Sequence, residues 1–212
     1  MASLGPVGRF FLAVLLLLPL TFCAWYYLAI LITSPLTHVV DWVMAGLFPQ
    51  VITSVEQQGY VLDVVTRFSP PSTPGLPAGP TGELVFELNP LIYGYSLPLY
   101  TALVLATPGN VNAKWGNWIL GMLLLFPVQV WGVCFDILKT LLFRLGTEVG
   151  GQLGFSHWQI EGVALGYQFG SLILPAVTPV VLWIAFHRAY LGTLVPGLSR
   201  RFAAAEHDPD GR

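Results

Sequence analysis

The stretch WGNWILGMLLLFPVQVWGVCF, Trp115–Phe135, contains no Asp, Glu, Lys or Arg. A helix that crosses a bilayer needs about 20 such residues, because the hydrocarbon core supplies no water to bond its backbone. Three more runs share this property: Phe10–Thr33, Leu91–Pro108 and Gly162–Phe186. Four spans are therefore expected, at residues 10–33, 91–108, 115–138 and 162–186, the third continuing past its charge-free part. Residues 1–191 read as a single polytopic membrane domain. The tail, 192–212, is polar and expected to be disordered.

Composition agrees. Of 212 residues, 55% are hydrophobic and 9% charged, with a mean hydropathy of +0.70, whereas soluble domains carry about 25% charged residues. A net charge of −2 provides no basic surface for nucleic acid. Arg9 precedes the first apolar run as in a secretory signal, but the run continues past Pro19 to Ile32. Bulky Phe22 also occupies a place where cleavage needs a small residue. This segment reads as an uncleaved helix.

Four spans bring both termini to one side. Placing that side in the cytoplasm puts Arg9, Lys114, Arg188, Arg200, Arg201 and Arg212 inside, with Arg67, Lys139 and Arg144 outside, as the positive-inside rule requires. Both termini are therefore expected to be cytoplasmic, with the lipid bilayer as first partner.

The large outer segment, 34–90, opens with Ser34–Pro35, which resembles a helix start. Leu36, Val39, Val40, Val43, Met44 and Leu47 follow at helical spacing, predicting a short interfacial helix that ends near Pro49. Beyond it the period becomes two. Tyr60–Phe68 and Glu83–Leu88 alternate as strands, and Gln50–Val55 offers a third. Between the two clear strands lies the proline-rich 69–82. The fold class is thus membrane all-α with a small extracytoplasmic antiparallel sheet of two or three strands, including a β-hairpin.

Several positions stand out as candidate sites. Gly162, Gly166 and Gly170 recur every fourth residue, the pattern of a glycine zipper that admits a second backbone. Asp136 and Lys139 form an i, i+3 pair where the third span leaves the membrane; the choice lies between a structural ion pair and a partner contact. Asn117 and Gln129 suit hydrogen bonds between helices. His157 and Glu161 could share a helix face, but two ligands without a third make no metal site, and no cofactor is expected. Cys23 and Cys134 both fall inside spans and read as small packing residues. The run Asn89-Pro90-Leu91-Ile92-Tyr93-Gly94-Tyr95-Ser96-Leu97-Pro98-Leu99 joins the sheet to the second span. It is either an interfacial anchor or a docking surface through Asn89, Pro90, Tyr93, Gly94, Tyr95 and Pro98.

That run, the outer sheet before it and the later Trp131-Gly132-Val133-Cys134-Phe135-Asp136 segment together resemble exosortase H-associated membrane proteins over most of residues 10–190. The resemblance implies a small multipass protein linked to an exosortase. Such enzymes are intramembrane cysteine transpeptidases that recognise a C-terminal sorting tail of the PEP-CTERM type. It implies an exosortase and its sorted substrates as partners. Relative to exosortases themselves this chain departs where the chemistry would lie. Asn89–Ser96 holds no cysteine where a Cys-Ser-Gly-type motif would open the second span, and no intramembrane arginine is present. No catalytic residue is therefore expected. The competing readings are a degenerate transpeptidase using Cys134 with His157, and a small permease or lipid-handling subunit.

Overall fold

The computed structural model describes residues 5–68, 84–145, 151 and 153–194. The proline-rich 69–82, Gly146, Gly150 and the tail beyond Leu194 lie outside the described residues. Helix α1 (Pro6–Tyr27) leads into α2 (Ala29–Leu47), strands β1 (Ile52–Gln58), β2 (Val61–Thr66) and β3 (Leu84–Leu88), then α3 (Leu91–Gly94), α4 (Ser96–Ala106) and α5 (Val111–Phe143). Next, α6 (His157–Gln168), a π-helical turn (Phe169–Ile173) and α7 (Leu174–Phe186) form one apolar rod, and α8 (Arg188–Leu194) follows.

Four helical segments are long and apolar enough to cross a membrane: Pro6–Tyr27, Ala29–Leu47, Val111–Phe143 and His157–Phe186. The number matches expectation, but the membership differs. Leu91–Ala106 is a shorter apolar helix, interrupted at Tyr95 between α3 and α4. Ala29–Leu47, expected only as a surface helix from Ser34, has the length of a span. Ser34–Pro35 does not begin a helix, because the backbone is already helical from Ala29 and runs through Pro35. The break lies at Leu28, whose φ of −89° and ψ of 2° leave the helical basin. One carbonyl beyond that break takes an outside donor, as Gln57 Nε2 donates to Ile30 O at 3.0 Å.

Two cores are stacked along α5, which at 33 residues is about 50 Å long. The first gathers Phe10, Val14, Leu97, Tyr100, Leu103, Val104, Leu125 and Trp183 from α1, α4, α5 and α7. Helix α4 touches all three of those neighbours, which explains an apolar sequence without a polar face. The second core joins α2, the sheet and the far half of α5 through Leu36, Val40, Met44, Leu62, Val64, Val133, Ile137 and Leu141. Gly5, Arg9, Ala106, Pro108 and Tyr190 meet around one cleft. The described chain thus begins and ends at the end of the molecule away from the sheet.

The sheet is an open antiparallel meander in the order β1-β2-β3. Its third strand, β1, is a real edge, and α2 covers it: Asp41 Oδ1 accepts the Val55 N–H at 2.8 Å. Registers Glu56↔Asp63 and Asp63↔Glu87 align three carboxylates across the sheet. Burial first, then Glu87 and Glu56, hold the Asp63 carboxyl above the ordinary carboxylate range. A raised acid favours the folded state below its unfolded pKa, near 3.9, and that contribution is lost as pH rises through the folded value. Asp63→Asn is therefore expected to stabilise the protein near neutral pH by about 0.5–1 kcal/mol. It should also flatten the gain in melting temperature that the parent shows on acidification; equal pH profiles for the two proteins would refute the account.

Candidate functional site

The Asn89–Leu99 motif is built by short-range chemistry. Asn89 Oδ1 accepts the Leu91 N–H at 3.0 Å, closing the turn that starts α3 with Pro90 just ahead of it. Pro98 sits in the first turn of α4, where its missing N–H costs little. Most of the motif points inward. Pro90, Tyr93, Gly94 and Pro98 are buried, Tyr95 is half-buried, and Asn89 alone of the six is exposed. The physical reason is a pair of notches on α5. A Cβ at Gly132 would overlap the Tyr93 ring, and one at Gly121 would overlap the Tyr100 ring. Tyr93 and Tyr100 lie two helical turns apart, and both are fully buried. Tyr100 Oη donates to Asn117 O at 2.7 Å. Trp118 Nε1 donates to Thr101 Oγ1 at 3.1 Å across the same seam.

Above Gly132 the Tyr93 hydroxyl lies near Asp136 and Tyr167, fully buried and without a hydrogen bond to either. Lys139 Nζ lies 2.6 Å from Asp136 Oδ1 and 4.1 Å from the centre of the Tyr167 ring. The expected i, i+3 pair is thus formed, and it belongs to a four-residue cluster where α3, α5 and α6 meet. Sequence alone did not place Tyr93 or Tyr167 there. The available signal was a pair of glycines, Gly121 and Gly132, three turns apart on one face of α5, which leaves room there for large side chains such as Tyr93 and Tyr100.

The three glycines of the last rod behave differently from one another. A Cβ on Gly166 would overlap the Phe135 ring, and one on Gly170 would lie 2.8 Å from Trp131 and 3.2 Å from the Gly132 Cα. Trp131 Nε1 closes this contact by donating to Gly166 O at 3.1 Å. A Cβ on Gly162 would meet no other part of the protein within 4 Å.

A Cβ on Gly94 would lie 3.0 Å from Trp25 Cζ2 and 3.4 Å from Gln129 Oε1. Cys134 lines an apolar groove of about 510 Å³ with Val39, Val43, Met44 and Leu138. His157 instead pairs with Glu161 at 3.0 Å on an exposed surface. Among the described residues no group of three or more His, Cys, Asp or Glu side chains could hold a metal.

These features define a polytopic membrane protein that carries a small open sheet at one end of its helices. A family model described as exosortase H-associated membrane protein matches residues 4–190, and the chain belongs to that family. No curated protein and no solved structure matches the chain.

Proposed function

We propose that the protein is a non-catalytic component of an exosortase-type protein-sorting system in the bacterial inner membrane. Both termini face the cytoplasm and the sheet faces the periplasm, where it offers a docking surface to the enzyme or to its PEP-CTERM-tailed substrates. Membership of a family described by its association with exosortase H carries this reading. The charge distribution supports the orientation. Arg9, Lys114 and Arg188 lie toward the end that holds Gly5 and Tyr190, and the outer cations are fewer. Within the entry motif, Asn89 and Tyr95 form the accessible part of the docking surface. Pro90, Tyr93, Gly94 and Pro98 hold it in shape, while Asp136–Lys139 and the Gly166–Gly170 contact brace the helices beneath.

A cysteine mechanism is disfavoured by chemistry. A nucleophilic thiol needs a basic or cationic neighbour to become a thiolate, and Cys134 is buried among aliphatic and aromatic side chains. Cys134→Ala is expected to leave the processing of tailed proteins unchanged, measured by mass shift of a sorted substrate in cells. Loss of processing with normal protein levels would favour the transpeptidase reading instead. Co-purification from native membranes is the direct test: exosortase H is recovered with the tagged chain if the proposal holds, and its absence overturns the association.

A further inference from the structure

A second groove opens sideways between α1, the start of α2, α4 and α5, with a volume of about 800 Å³. Its walls are mostly apolar, Leu20, Leu31, Leu105 and Met122 standing beside the aromatic Trp25, Trp118 and Phe126, and the Thr21 and Thr101 hydroxyls among them donate to carbonyls of their own helices. From Leu17 to Ile32 the groove follows sixteen residues of α1 and α2, or about 22 Å. The break at Leu28 lies in this wall.

One wall residue does not fit a lipid surface. Gln129 is only 3% exposed yet lines the groove. Its Oε1 is held beside Gly94, and nearby Trp25 Nε1 is buried without a hydrogen-bond partner. Gln129 lies fourteen residues beyond Trp115 on α5, about 21 Å along the axis. That depth is inside a hydrocarbon core of about 30 Å. A side-chain amide there needs a hydrogen-bonding neighbour, which acyl chains do not supply. A polar side chain on another transmembrane helix does.

We infer that this groove seats one transmembrane helix of a partner protein, an apolar helix bearing a single hydrogen-bonding side chain at the depth of Gln129. The inference rests on the proposed association with an exosortase, which is multipass and able to present such a helix. It assigns the contact to the membrane interior, apart from the outer docking surface.

Photo-crosslinking tests it on the full-length chain, co-expressed with exosortase H in native membranes. A photoreactive residue replaces Leu20 or Leu31 in the groove, or Trp158 outside it as a control. The expected result is an adduct from the groove positions, mapped to one transmembrane segment of the enzyme, and none from Trp158. Gln129→Leu should lower the adduct yield about three- to ten-fold, while Gln129→Asn retains part of it. Co-purification with adducts to lipid alone, or with no groove adduct, overturns the inference and leaves the association standing. Failure to co-purify at all overturns both.

Discussion

Replacing Gly132 by alanine is expected to lower the stability of the protein by about 2–3 kcal/mol. In an ordinary helix the same change gains up to about 1 kcal/mol, because alanine is the better helix former. The sign reverses here because the added methyl would overlap the Tyr93 ring. Tyr93 cannot swing away. It is fully buried, its hydroxyl turned toward Asp136 and Tyr167. Gly121→Ala should act in the same direction through Tyr100, whose Oη is tied to Asn117 O. Gly162→Ala and Gly116→Ala serve as internal controls, since nothing lies within 4 Å of either position. They should be neutral or stabilising. Thermal unfolding in detergent, followed by tryptophan fluorescence, separates the two groups. Equal melting temperatures for all four variants would show that the notches carry no weight.

Removing the Asp136 carboxylate should destabilise by about 2 kcal/mol. A fully buried broken pair costs about 3–5 kcal/mol, and the figure is reduced here because the Lys139 side chain is 22% exposed and can reach water. Asp136→Ala leaves that ammonium over the Tyr167 ring with only an aromatic face for company. The double variant Asp136→Leu/Lys139→Leu is expected to recover most of the loss, since replacing both charges with packed apolar side chains removes the unpaired group. A double variant no more stable than Asp136→Ala would refute the electrostatic account. A membrane-exposed lysine that merely snorkels would give little change in either protein.

The features that were legible in the sequence are those decided by local periodicity. Alternation over Tyr60–Phe68 and Glu83–Leu88 marks β2 and β3, and the third strand appears as β1. Apolar runs without charge mark α1, α5 and the rod formed by α6 and α7. The Asp136–Lys139 pair follows from its spacing alone. What was not legible depends on tertiary contacts. The break at Leu28 carries neither glycine nor proline, whereas Ser34–Pro35 imitates a helix start inside a continuous α2. Nothing local distinguishes Gly132, which receives a tyrosine, from Gly116, which faces open space. The inward burial of Tyr93 and Gly94 has the same origin. An interfacial aromatic and a seam aromatic have the same sequence neighbours and differ in what lies across from them.

Two posts join the lower bundle to the sheet, and they are not alike. The α1–α2 post is jointed at Leu28, whereas α5 passes from one layer to the other as a single helix. With a joint on one side and an unbroken helix on the other, α5 is, among the described residues, the one helix that carries buried side chains into both cores, so the spacing between the two layers is set by its length.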